Sequence, residues 1–209
     1  SENDDNIPRS LPAESSAVRE HIADPDLLEK IKQRGKLIVI TTNTPSTYYF
    51  DSDNQPTGPE YDMTQAYAKA LQVDVEDRDY DSTAEVLEAW RNNEVDIAAA
   101  GLTVTDKRSV EFSFGDSYQE TNEYLVCHRD VNRINNESDL ASVEIVVAAD
   151  SSYIDSIKTY QNARWSEAKN ISTVKLMEQV ADKIIECTIS DSTLFDIERR
   201  YHTELQKKY

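Results

Sequence analysis

The stretch that decides the fold runs from residue 36 to residue 101. It opens with KLIVITT (36–42), a nearly unbroken apolar run of the kind found in a strand covered on both faces. YDMTQAYAKAL (61–71) follows a loop and places Met63, Ala66, Tyr67 and Ala70 at helical spacing. Residues 73–76 read as a short strand. STAEVLEAWRN (82–92) reads as a helix, with Ser82 able to cap it and Glu85 at capping-box distance. VDIAAAG (95–101) is a second buried strand. Strand, helix, strand, helix, strand implies a parallel sheet with right-handed crossovers.

Working outward, DLLEKIKQR (26–34) puts Leu27, Leu28 and Ile31 on one helical face, and Gly35 stands where a helix C-cap belongs. Residues 1–24 are polar and acidic, carry Pro8 and Pro12, and read as a flexible arm or tether. After residue 101 the pattern starts again. YLVCH (124–128) and EIVVAA (144–149) read as strands, the latter leading into a helix over 152–159. Residues 172–176 suit a weaker strand or a helix start, 177–182 a helix, 184–190 a strand and 192–201 a helix. The expected architecture is α/β, with a first lobe over 25–122, a second over 123–209 and an extended crossover near 115–125.

Composition narrows the function. The 209 residues include 40 acidic and 22 basic ones, for a net charge of −18. That argues against nucleic acid, which selects a basic face, and against anionic lipid. No apolar run approaches the roughly 18 residues of a membrane helix, and the charged start SENDDNIPRS is no signal peptide but would suit a mature end. Cys127 and Cys187 are too few for a disulfide framework, and no zinc pattern is present. His21, His128 and His202 are scattered and read as surface or structural residues. The four glycines, Gly35, Gly58, Gly101 and Gly115, form no phosphate-cradling loop. Neither cofactor nor metal is expected.

In open α/β sheets ligands bind beyond the carboxyl ends of the strands. The residues to inspect are therefore TNTPSTYY (42–49), GLTVTDKR (101–108), Asp150 to Ser152, and Asp191. The Arg108 guanidinium suits a carboxylate, and Asp191 suits an ammonium. Backbone N–H groups at Gly101 and at a helix start near Ser151 and Ser152 suit an anion, with hydroxyls such as Thr103 beside them. Tyr48 or Tyr49 would pack over an apolar moiety. Together they describe a site for an amino acid or a peptide end. Each member also has a plainer reading: Arg108 as a turn-capping surface residue, Asp191 as the cap of the last helix, the tyrosines as core. No Ser/His/Asp or Cys/His arrangement stands out, so no catalytic residue is assigned.

KLIVITTNTPSTYY (36–49), TGPEYDMTQAYAKALQV (57–73), AAAGLTVTDKR (98–108), VEFSFGDSY (110–118) and ECTISDS (186–192) resemble the family-3 extracellular solute-binding proteins. With residues 163–205, the likeness narrows to the solute-binding-like domain of the membrane-bound lytic murein transglycosylases F. The resemblance covers about residues 26–207. It implies a two-lobed flytrap of the type II periplasmic-binding-protein fold, in the bacterial periplasm. It implies that Arg108 clamps a ligand α-carboxylate, that Asp191 holds the amino group, and that Gly101 and Thr103 add polar contacts. In the transglycosylases this domain is regulatory: it senses cell-wall peptide and controls a separate lysozyme-like domain, in a protein tethered to the outer membrane through its N-terminus. The small-molecule partner would be an amino acid or a muropeptide. Departures are Pro59 where the family usually has Phe, Asp150 where it usually has Gly, and Asn93 or Glu94, and Lys183, where it usually has glycines before strands.

The family continues past the position of Tyr209 with a further strand and a return to lobe one. The resemblance thus implies a missing C-terminal return segment and an open edge on the strand at 95–101, which a second copy of the chain would cover. It also places Cys127 and Cys187 on neighbouring strands, where the periplasm would permit a bridge; whether one forms stays open. A stand-alone amino-acid-binding protein of an ABC uptake system, and a truncated flytrap without ligand, remain alternatives.

Overall fold

The computed structural model describes residues 11–12, 16–17, 19–20, 25–42, 44–45, 47–114 and 117–209. In chain order the elements begin with three two-residue strands, β1 (Leu11–Pro12), β2 (Ser16–Ala17) and β3 (Arg19–Glu20). There follow α1 (Pro25–Arg34), β4 (Lys36–Thr41), the hairpin β5 (Tyr49–Phe50) and β6 (Pro56–Thr57), α2 (Pro59–Leu71), β7 (Asp74–Asp79), α3 (Thr83–Arg91), β8 (Ile97–Ala98) and α4 (Asp106–Glu111). Then come β9 (Ser117–Gln119), β10 (Asn122–His128), a 3-10 turn at Glu137–Ser142, β11 (Glu144–Ala148), α5 (Tyr153–Ile157), β12 (Arg164–Ala168), α6 (Thr173–Ala181), β13 (Cys187–Asp191), α7 (Ser192–Tyr201) and β14 (Leu205–Lys207). These fall into two units, divided between residues 120 and 121; β1 goes with the second, β2 and β3 with the first.

The first unit holds a sheet in the order β3-β8-β4-β7. β4 pairs in parallel with β7 on one flank and with β8 on the other. KLIVITT is buried on both faces, as its composition requires. Leu37 and Val39 pack with Ile31, Tyr48 and Ala68 from the side of α1 and α2. Ile40 packs with Val86, Leu87 and Trp90 of α3. Ser82 caps α3 by accepting the Glu85 N–H, and the Glu85 carboxylate accepts the Asp81 N–H at 2.9 Å. Buried Asp96 accepts the Ile38 N–H at 2.8 Å and pairs with Arg34, fixing the approach to β8.

The second unit repeats the design. Its sheet runs β1-β10-β13-β11-β12, with β14 also on β10. β11 pairs in parallel with β12 on one flank and β13 on the other, while β10 lies antiparallel to β13. Leu125 and Cys127 face one core and Val126 the other. Cys127 stands opposite Cys187, with Cα atoms 4.3 Å apart, and the two form a disulfide buried in the sheet.

Several expectations change. The flexible arm expected over 1–24 is paired strand at residues 11–12, 16–17 and 19–20; its remainder, with His21 and Gly115, lies outside the described residues. The edge of β8 expected to be open is occupied by β3, because an extended segment of the same chain satisfies the exposed N–H and C=O groups. β12 was not foreseen: RWSEA is polar and part-exposed, as an edge strand permits. Ser172 caps α6, so 172–176 begins a helix. β13 begins at Cys187, and Ile184 is exposed.

Candidate functional site

In each unit the chain leaves a middle strand, returns on one flank, and crosses back to the other. That reversal puts a topological switch point, the place where such sheets bind ligands, beyond the carboxyl ends of β4 and β8 in the first unit, and of β11 and β13 in the second. The residues singled out in the sequence follow those ends.

In the first unit, Gly101 has φ +60°, and a Cβ there would sit 3.0 Å from the Thr47 methyl. Its N–H donates to the Glu60 carboxylate at 2.9 Å, so it is already matched to an internal anion. Glu60 is fully buried and its own N–H donates to the Thr47 carbonyl. Thr105 caps α4 by accepting the Arg108 N–H at 3.1 Å. Arg108 is buried, and its guanidinium donates to the Thr103 carbonyl at 3.0 Å. Thr103, Thr105 and Arg108 thus form one hydrogen-bonded turn, and the surface arginine of the plainer reading is a held, desolvated one.

Tyr48 is not placed over a ligand. It is fully buried, edge-on to Tyr61 at 5.5 Å and tilted against Phe50 at 6.4 Å. The apolar run of β4 leaves a core that an aromatic ring fills, which is the reason for the correction. Tyr49 is half-buried in the β5–β6 hairpin.

In the second unit, Asp150 adopts φ +59°, taking the left-handed turn that a glycine would accept more easily. The Ser151 N–H donates to the Ala148 carbonyl at 3.3 Å, and its buried hydroxyl has no partner among the described residues. Ser152 is already helical and makes no side-chain cap. Asp191 caps α7: one oxygen accepts the Leu194 N–H at 2.8 Å, the other the Tyr153 hydroxyl at 3.2 Å. Tyr153 in turn accepts the Asp191 N–H at 3.1 Å. Burial raises the Asp191 pKa against the pull of these hydrogen bonds. Burial, with the Asp191 charge, pushes the Tyr153 phenol well above its usual value.

Glu60 and Tyr153 were missed in the sequence reading. Glu60 looks like an exposed acid in the first turn of a helix, and Tyr153 carries no motif; only their distant partners reveal them. His128 accepts the Asp130 N–H at 3.0 Å. No group of three His, Cys, Asp or Glu suited to a metal occurs among the described residues.

Residues 36–204 match the bacterial extracellular solute-binding proteins, family 3. The chain belongs to that family. Among curated relatives, the membrane-bound lytic murein transglycosylase F of Maricaulis maris is 34% identical over 94% of this chain and 44% of its own length. The protein of the same name from Saccharophagus degradans is 34% identical over 84% of this chain and 36% of its own. The chain therefore spans less than half the length of these relatives. Among solved structures, the arginine-bound form of truncated ArgBP from T. maritima superposes with a TM-score of 0.77 at 18% identity, covering 86% of this chain and 84% of that one. An ancestral arginine-binding protein bound to glutamine gives 0.73 at 20% identity, over 84% and 82%. These likenesses establish the type II solute-binding fold. Among the described residues no helix is long and apolar enough to cross a membrane.

Proposed function

We propose that this family-3 domain senses an amino acid or cell-wall peptide, as the regulatory part of a peptidoglycan lytic transglycosylase in the periplasm. The observation that carries the reading is the buried guanidinium of Arg108, held on the Thr103 carbonyl beyond the end of β8. A desolvated, pre-oriented fork is what recognition of a carboxylate requires. Thr103 and the Gly101 turn lie beside it in the same unit; in the other unit Ser151, Ser152 and Asp191 follow the ends of β11 and β13, and Asp191 is the residue suited to an ammonium. The transglycosylase relatives support the cell-wall role, and the buried disulfide supports an oxidising compartment. A tether to the outer membrane would come from the parent protein.

Calorimetry with free amino acids and with stem peptides tests the reading. A charge-assisted hydrogen bond is worth roughly 1.5–3 kcal/mol. Arg108→Ala should therefore weaken a carboxylate ligand by about tenfold to a hundredfold, and Asp191→Asn should weaken amine-bearing ligands selectively. Unchanged affinity in Arg108→Ala would remove the clamp. A second reading, a stand-alone amino-acid-binding protein of an uptake system, is favoured by the arginine- and glutamine-bound structures that share the fold. Binding of free amino acids with no response to stem peptides would select it.

A further inference from the structure

Two of the three N-terminal strands, β1 and β3, lie on sheet edges that would otherwise present unpaired backbone, and β2 forms a two-stranded sheet with β9. β3 runs antiparallel to β8, with Arg19 opposite Ala98 and Glu20 opposite Ile97. β2 runs antiparallel to β9, with Ser16 opposite Gln119 and Ala17 opposite Ser117. β1 runs antiparallel to β10, with Leu11 opposite Glu123 and Pro12 opposite Asn122. The same edge of β10 is filled at Val126–His128 by β14, and at Leu125 by backbone bonds with Lys208 and Tyr209. β1 therefore begins where the C-terminal strand leaves off.

The edge covered by β3 is apolar and interior, and the one covered by β1 is partly interior. Ile97 and Ala98, opposite β3, are 4% and 1% exposed, and Glu123, opposite Leu11 of β1, is buried. A bare edge of that composition is a template for another chain. A segment of the same chain competes for it at an effective concentration on the order of millimolar, well above that of a second copy. We infer that β1, β2 and β3 act as one strap, a strand complement the chain supplies to itself, which blocks pairing of β8 and β10 with a second copy.

The full chain carries the test. Pro12→Cys/Asn122→Cys and Ser16→Cys/Gln119→Cys place thiols at registered strand partners, and non-reducing peptide mass spectrometry shows which chains they join. The expected result is a bridge within one chain for each pair. In the full chain with Arg19→Pro/Glu20→Pro, β3 loses its donors. Light scattering should then show a concentration-dependent dimer where the unaltered chain is monomeric. At dilutions that keep the variant monomeric, amide exchange at Ile97 and Ala98 should quicken by at least about tenfold. Bridges that join two chains, or that do not form, overturn the proposal. So does a proline variant that folds and stays monomeric at every concentration. If the proline variant does not fold, the cysteine pairs decide alone.

Discussion

Gly58 shows how one position can hold several others. Its φ is +115°, and a Cβ there would stand 2.4 Å from the Thr47 carbonyl oxygen. That close approach lets the Thr47 carbonyl accept the Glu60 N–H at 2.9 Å, and Glu60 in turn holds Gly101. Gly58→Ala should therefore cost about 2–4 kcal/mol of stability, the range for strain at a special backbone position combined with a disturbed buried network. Urea denaturation measures it; a loss below about 0.5 kcal/mol, ordinary for a surface change, would mean that the loop yields freely. The proposed role of Arg108 belongs to this scale too, since Arg108 sits in the first turn of α4, which follows the segment that Gly101 opens.

At the scale of elements, the β10–β13 ladder is closed by the Cys127–Cys187 bridge, which spans a separation of 60 residues. By the chain-entropy relation such a closure stabilises by roughly 4 kcal/mol. Cys127→Ala/Cys187→Ala should lower the urea midpoint of the second unit by a corresponding amount and leave the first unit, which lacks the bridge, nearly unchanged. Separate probes serve: Trp165 reports on the second unit and Trp90, stacked on Phe112 at 4.3 Å, on the first. Single Trp→Phe variants isolate each signal. Equal shifts in both would show that the units unfold as one.

For the whole molecule, charge and burial act in the same direction. Burial raises the pKa of Asp77, Asp79, Asp191 and Glu198. The folded chain keeps those protons to higher pH than the unfolded chain, whose carboxyls titrate near 3.8 and 4.5. Their contribution is full below those values and is lost as pH rises through the folded ones. Asp130 shifts the other way beside Lys183, but it lies in solvent. With a net charge of −18 adding self-repulsion at neutral pH, the urea midpoint should be higher at about pH 5 than at about pH 8. A midpoint that rises with pH would contradict this. The chain should also release no anhydro-muropeptides from peptidoglycan above a blank, since no nucleophile–base pair stands out among the described residues; release would place lytic chemistry in this domain.

What the sequence determined by itself is what depends on near neighbours. KLIVITT announced a strand buried on both faces, Ser82 and Glu85 announced the start of α3, and the strand–helix alternation announced the doubled α/β plan and its switch points. These signals repeat within two to four residues, so local reading captures them. Tertiary structure alone decided the rest. Tyr153 and Asp191 are 38 residues apart and Glu60 and Gly101 are 41 apart, and no spacing rule joins them. Whether Tyr48 lines a site or fills a core depends on which rings arrive beside it. RWSEA becomes β12, and residues 19–20 become β3, because a neighbouring edge offers unpaired backbone groups. Hydrogen bonding to a sheet edge asks little of side chains, so it leaves little trace in the sequence.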